Sequence, residues 1–113
     1  MKKFMALYVG SASPGTAAAE MSDDARLAGM SAWGAWMQEH SAKIVDMGGP
    51  LGKTKRAARD GVSDIRNGLA AYVIVEAESH DAAARMFEGH PHFTIFPGDS
   101  VEIMECLPLP GAG

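Results

Sequence analysis

Two histidines separated by one residue are the densest group of chemically versatile side chains in this 113-residue chain. They lie in the segment His90-Pro91-His92-Phe93. An imidazole titrates near neutral pH, so each could act as an acid, a base or a metal ligand. Because no third and fourth ligand can be recognised, neither a metal nor a cofactor is predicted. We predict His92, and with it His90, as the catalytic candidates; the alternative is that both are structural or solvated loop residues.

A group of aromatic residues with one titratable neighbour is the second candidate site. On the first predicted helix, His40 and Trp36 project close to Trp33 at 3.6 residues per turn. Aromatic walls with one polar group suit a flat organic ligand between this helix and the sheet. The alternative is that the tryptophans are core or dimer contacts and that His40 is placed by the helix dipole. The predicted ligand-binding residues are Tyr8, Trp33, Met37, His40 and Tyr72.

Three other features carry weaker signals. The segment from Gly48 to Thr54 lacks the glycine spacing of a phosphate loop, since Met47 stands where a glycine is required. The single cysteine, Cys106, excludes an intramolecular disulfide and is predicted to be a small buried residue. A cationic run is predicted to be a solvated hairpin rather than an anion site; it comprises Lys53, Lys55, Arg56 and Arg59.

The overall charge argues against two classes of partner. The net charge is -4 and the pI is about 5.4, so neither nucleic acid nor a membrane surface is an expected partner. The apolar stretch after the first lysines ends at Gly10, which is too short for a signal sequence or a membrane span. We expect a cytoplasmic protein with one domain over residues 1–113, of which 108–113 form a tail.

Strands and helices alternate along the chain. An apolar run at 4–9 is predicted as the first strand, and Ser22 as the N-cap of a helix that could begin upstream at Thr16. The predicted inner face of that helix includes Leu27, Met30 and Trp33. Further strands are predicted at 44–47, 69–75 and 101–107, a second helix after Ser79, and a hairpin at 53–63 that turns at Asp60-Gly61.

This order predicts an α+β fold. Two βαβ-like halves with a hairpin insertion match the ferredoxin-like pattern, with an antiparallel sheet and both helices on one face. The segment Tyr72-Val73-Ile74-Val75 is continuously apolar, which is typical of a strand covered on both faces. Because no third helix is predicted that could serve as a cover, we expect two copies to pack sheet to sheet as a homodimer, a dimeric α+β barrel.

Four segments resemble the YCII-related family, including its DGPF branch. They are Met30-Ser31-Ala32-Trp33-Gly34-Ala35-Trp36-Met37, Met47-Gly48-Gly49-Pro50-Leu51, Asn67-Gly68-Leu69-Ala70-Ala71-Tyr72 and Gly98-Asp99-Ser100-Val101-Glu102. The resemblance implies the dimeric α+β barrel fold and no established reaction for most members.

Some members of that family are suspected enzymes because they pair a histidine on the first helix with an aspartate before a proline. Here Ala32 or a neighbour, and His90 before Pro91, occupy those places, and the DGPF motif is replaced by residues 63–69. Whether the chain is an enzyme therefore stays open. We expect a protein that binds or transforms a small organic molecule by cofactor-independent acid/base chemistry; the alternative is a non-catalytic dimeric interaction or ligand-sensing module.

Overall fold

A computed structural model describes residues 1–10 and 21–110 of the chain. The strands are β1 (Lys2–Val9), β2 (Ile44–Pro50), β3 (Thr54–Ala58), β4 (Gly61–Ile65), β5 (Leu69–Ala77) and β6 (Ser100–Glu105). The helices are α1 (Asp23–Glu39), α2 (His80–Arg85) and α3 (Pro91–Thr94), and a 3₁₀ turn covers Ser41–Lys43. The predicted upstream extension of the first helix, the loop after Gly10 and the end of the predicted tail lie outside the described residues.

The main sheet has four antiparallel strands in the order β2-β5-β1-β6. This is the ferredoxin-like order, because the first strand of each βαβ half lies at the centre and the second at an edge. In the register, Phe4 of β1 lies opposite Val75 on one side and Glu105 on the other. The predicted α+β class with an antiparallel sheet is therefore confirmed.

One face of the sheet carries the core. Alternate residues of β1 are fully or almost fully buried, with Phe4 and Ala6 at 0% and Tyr8 at 1% exposure. They pack with Val73 and Val75 of β5 and with side chains of α1 and α2. Both helices thus cover the same face, as alternation along a half-buried strand requires. Leu7 and its partner Tyr72 belong to the other face and are only half-buried.

The first helix is rotated relative to the sequence prediction. Ser22 is its N-cap, as predicted, and accepts a hydrogen bond from Ala25 N. Leu27 and Met30, predicted to face the core, are 64% and 65% exposed, whereas Trp36 is buried. The prediction was wrong because the indole of Trp36 packs inward against Phe87 and His90, which turns the opposite side of α1 outward.

The segment after β2 also departs from the prediction. The strand does not stop at Met47 but continues to Pro50, and its register with β5 shifts before and after Asp46. Gly48 has a φ of +63°. A glycine there is required by the positive φ and because a Cβ would lie 1.8 Å from Tyr72 O.

The inserted hairpin was predicted at an edge of the main sheet. Instead β3 and β4 pair only with each other, with Ala58 opposite Gly61. The two-residue turn is therefore Arg59-Asp60, one residue earlier than the predicted Asp60-Gly61. Gly61, at φ +124°, is the first residue of β4.

Two predictions near the C-terminus were also wrong. The segment His90–Phe93, expected as a loop, forms the start of the short helix α3, with Pro91 at its first position. Cys106, expected to be buried, is exposed because β6 ends at Glu105.

Candidate functional site

The centre of the candidate site is a hydrogen bond between a strand and a short helix. Tyr8 projects from the inner face of β1, and its hydroxyl lies 3.2 Å from Nε2 of His90. His90 is the N-cap of α3, and its Nδ1 accepts a hydrogen bond of 3.0 Å from His92 N. Both side chains are enclosed, with 1% of Tyr8 and 0% of His90 exposed.

These contacts fix the tautomer of His90. A backbone amide only donates, so Nδ1 must be unprotonated, and the ring proton of neutral His90 is on Nε2. Nε2–H therefore donates to the Tyr8 oxygen. The phenol keeps its own proton, for which no other acceptor exists among the described residues.

The second histidine is held by the strand that carries Tyr8. Nε2 of His92 lies 2.8 Å from Val9 O, and because a carbonyl only accepts, Nε2 carries a proton. No buried side-chain nitrogen or oxygen lacks a partner in the described part of the chain. Nδ1 of His92 has no hydrogen-bond partner there, so this nitrogen retains contact with solvent although the residue is only 4% exposed. In the neutral tautomer with the proton on Nε2, the Nδ1 lone pair is unoccupied.

Aromatic rings surround this trio of Tyr8, His90 and His92. The ring centroid of Trp33 is 4.8 Å from that of Tyr8 and 4.6 Å from that of His90, with the indole edge-on to the imidazole. Trp36 lies 4.8 Å from His90 and is fixed by its indole N–H, which donates to Met86 O at 2.9 Å. The rings exclude water from the Tyr8–His90 bond.

Burial changes the titration of two members of the trio. It raises the pKa of the Tyr8 phenol above its usual range, so the hydroxyl is protonated at any physiological pH. Burial, together with the charges of His92 and His40, lowers the pKa of His90 to about 4. Neutral His90 is also the form that its hydrogen bonds require.

An open groove lies on the side of Trp36 away from the trio, and none of Tyr8, His90 and His92 lines it. Its volume is about 510 Å³, and a second hollow beside Phe87 and Val101 has about 290 Å³. The groove lies between α1 and the segment from α2 to α3. Its lining includes Ala32, Ala35, Trp36, His40, Arg85 and Pro91.

The structure brings some of the predicted site residues together and separates others. Trp33, His90 and His92 gather around Tyr8, while His40 is one ring away, 4.7 Å from Trp36. Met37 is half-buried at the margin of the core. Tyr72 is on the opposite face of the sheet, so within one chain it does not line a pocket with Tyr8. The roles assigned to these residues stay predictions.

Two residues that shape the site were not predicted from the sequence. Phe87 stacks on His90 at 5.9 Å, and Gly98 lies so close to His92 that a Cβ there would be 2.3 Å from its ring. Only the Pro97-Gly98 turn signal pointed to the second, and it did not reveal the contact. In the described ranges, no three His, Cys, Asp or Glu side chains form a group that could hold a metal ion.

One comparison with solved structures gives a match over nearly the whole chain. The 5-chloro-2-hydroxyhydroquinone dehydrochlorinase (TftG) from Burkholderia phenoliruptrix AC1100, solved in complex with 2,5-dihydroxybenzoquinone, matches with a TM-score of 0.56 and 20% identity over 93% of each chain. The fold is that of a dimeric α+β barrel. At this identity the likeness shows the fold alone. No family model matches the sequence, so membership of the YCII-related family remains a resemblance, and no curated protein matches it either.

Proposed function

We propose that this protein binds a small oxygenated organic molecule between α1 and the sheet and moves a proton on it. The observation that carries the proposal is the 2.8 Å hydrogen bond from His92 Nε2 to Val9 O. It orients the imidazole so that Nδ1 points away from Val9 O, in the way that a backbone carbonyl orients many functional histidines. Tyr8, whose ring centroid is 5.3 Å from that of His92, supplies a donor beside this base.

The two groups have complementary roles. Tyr8 is a neutral donor, because its pKa is raised and its oxygen already accepts from His90. His92 accepts a proton at Nδ1 and holds the positive charge against Val9 O. A carbon acid next to a carbonyl is the substrate class that fits: His92 removes the proton from carbon, and negative charge develops on the carbonyl oxygen. The Tyr8 hydroxyl is enclosed in this structure, so it donates to that oxygen only after the Trp33 indole that covers it moves aside.

The ligand class follows from the walls of the site. Trp33 is half-buried, so one side of its indole covers Tyr8 and His90 while part of it remains accessible. A flat ring that stacks there contacts an aromatic surface and directs its oxygens to the trio. The similar dehydrochlorinase was solved with such a ring, 2,5-dihydroxybenzoquinone, which makes that compound a suitable first probe.

The test measures binding and proton exchange separately. Titration calorimetry with 2,5-dihydroxybenzoquinone and a panel of hydroxylated benzenes gives affinity, and loss of ring-proton NMR signals in deuterated buffer gives proton transfer. Tyr8→Phe should weaken binding about tenfold, the equivalent of one net hydrogen bond. His92→Gln should abolish exchange. Tyr72→Phe is the matched control and should change neither.

Two results would contradict the proposal. If no compound of the panel binds, the site does not serve this ligand class. If binding and exchange are equal in wild type and Tyr8→Phe, the trio is a structural cluster. The second candidate function, a non-catalytic dimeric interaction or ligand-sensing module, would then be favoured; binding without exchange also favours the sensing version.

A homodimer is part of the proposal and rests on the open sheet face. We define this face as the half-buried or exposed apolar residues opposite the helices, Met5, Leu7, Tyr72, Ile74 and Met104. No described element of the chain packs on it. Covering an apolar sheet face with a second copy removes apolar surface from water and is therefore favourable. The fold is known for such pairing. Light scattering should give twice the mass of one 11.9 kDa chain.

No helix in the described ranges is long and apolar enough to cross a membrane. The cytoplasmic location stays a prediction.

A further inference from the structure

The β3–β4 hairpin is an arm that forms no strand pairing with the rest of the described chain. Its ladder hydrogen bonds run only between the two strands, and nearly all its side chains are exposed, including Val62 at 71% and Ile65 at 38%. An isolated two-stranded hairpin is marginally stable in water. The radius of gyration, 15.7 Å, exceeds the roughly 13 Å of a compact domain of this length, as expected when part of the chain leaves the body.

The arm differs from the rest of the molecule in charge. Residues 53–66 carry five lysines or arginines against two aspartates, a net charge of +3, which leaves -7 on the remainder of the chain. Within the arm, Lys55 pairs with Asp64 at 2.6 Å and Arg56 lies 4.0 Å from Asp60. Lys53 and Arg59, both exposed, have no ion-pair partner among the described residues.

The open sheet face carries the opposite charge at its margins. Asp46 pairs with Ile74 across β2 and β5, and Glu102 pairs with Leu7 across β6 and β1, so both carboxylates share the face with apolar residues. Glu76 also lies on this face, but Lys3, directly opposite it on β1, offsets its charge, so Asp46 and Glu102 carry the acidic character of the rim. An acidic rim around an apolar centre is complementary to a cationic arm.

We infer that in the homodimer each β3–β4 arm reaches across the two-fold axis and binds the acidic rim of the other copy's sheet face. The inference rests on the proposed sheet-to-sheet homodimer. The two-fold axis makes both arms equivalent, so every arm contact occurs twice. A polyanion such as nucleic acid is the weaker partner for the arm, because a body with a charge of -7 repels phosphate.

The test compares two charge reversals in the full chain. Sedimentation equilibrium gives the dimer dissociation constant of wild type, Arg59→Glu and Arg85→Glu at about 50 mM and about 500 mM salt. Arg85 is the control, because it is equally exposed but lies on the helix side. Arg59→Glu should weaken the dimer several-fold at low salt and much less at high salt, as expected for a screened charge contact. Arg85→Glu should leave it unchanged.

A second variant removes the whole arm, because reversing one charge changes dimer affinity only slightly if several contacts contribute. Replacing residues 54–65 by a short glycine linker should keep the far-ultraviolet circular dichroism of the main sheet and weaken the dimer at least tenfold. A dimer of wild-type affinity in both hairpin variants overturns the arm contact while leaving the homodimer intact. A monomeric wild type overturns the homodimer and the arm contact together. Loss of heparin binding in Arg59→Glu without any change in dimer affinity assigns the arm to a polyanion and also overturns the inference.

Discussion

The Tyr8 hydroxyl and His90 Nε2 are joined by a 3.2 Å hydrogen bond between residues that are 82 positions apart in the chain. The bond connects β1, a central strand of the sheet, to the N-cap of α3, and both side chains are buried. Because Tyr8 and His90 are both buried, neither side chain can replace this hydrogen bond with one to solvent.

Removing the Tyr8 hydroxyl should destabilise the fold. Tyr8→Phe keeps the ring but leaves Nε2–H of His90 buried without an acceptor, which costs about 1–3 kcal/mol. Urea denaturation followed by circular dichroism measures the free energy of unfolding. Tyr72→Phe, on the half-buried opposite face, should change it by less than about 0.5 kcal/mol. Equal losses in the two variants would mean that the Tyr8–His90 bond carries no stability.

The stability of the protein should depend on pH through His90. The unfolded chain takes up a proton near the ordinary pKa of 6.5, whereas the folded protein resists protonation until about 4. Between these values the unfolded state binds more protons, so the free energy of unfolding falls as the pH drops through this window. The stabilisation is fully present above the ordinary pKa of 6.5 and is lost as the pH falls to about 4. The full difference is on the order of 3 kcal/mol.

The pH dependence can be assigned with one variant. In His90→Asn the side-chain oxygen still caps α3, because asparagine is a good N-cap, but the titrating group is gone. The variant should be less stable at pH 7 and should lose less stability on acidification. NMR titration of the wild type should show no protonation of the His90 ring above about pH 5. A slope identical to that of wild type would assign the dependence to other groups.

Gly98 should tolerate no side chain. A Cβ at this position would lie 2.3 Å from the ring of His92 and 2.5 Å from its carbonyl oxygen, so Gly98→Ala must displace His92 from Val9 O. Overpacking of this kind costs about 1–3 kcal/mol. Gly34→Ala is the control, since nothing lies within 4 Å of its Cβ position in α1, and it should stabilise the helix by up to about 1 kcal/mol. Thermal unfolding distinguishes the opposite signs.

The open sheet face should be more sensitive to charge than an equally apolar surface elsewhere. Ile74→Lys places a cation in the centre of that face and should convert a dimer to monomer. Leu27→Lys introduces the same charge on the outer side of α1, where the leucine is 64% exposed, and should leave the mass unchanged. Light scattering of the two variants measures this. If both variants are dimers, the open sheet face is not the dimer interface.

The elements that could be predicted from the sequence are those specified by local signals. Local signals each depend on a few neighbouring residues, and the structure places three of them as expected: the apolar run of β1, the N-caps Ser22 and Ser79, and the apolar centre of β5. Their order along the chain was enough to predict the ferredoxin-like topology, because few arrangements of two βαβ halves bury both helices on one sheet.

What could not be predicted depends on contacts between distant residues. The rotation of α1 follows from the packing of Trp36 against Phe87 and His90, neither of which is near it in sequence. The cap that turns His90–Phe93 into a helix also fixes the imidazole toward Tyr8, and no spacing rule joins positions so far apart. The hairpin turn was misplaced by one residue because Arg59-Asp60 and Asp60-Gly61 are both acceptable turn pairs until the register of β3 and β4 is known.

The two hydrogen bonds of the His90 ring restrict which amino acids are compatible with position 90. Its Nδ1 starts α3 by accepting from His92 N, and its Nε2 donates to Tyr8 on β1. Asparagine and serine can perform the first task but are too short for the second, and lysine or arginine lacks an acceptor for the first. A random substitution library selected only for folding, with no selection for ligand binding, should therefore return histidine at position 90 far more often than at position 80, where His80 is exposed and makes a single bond to Ile103 O.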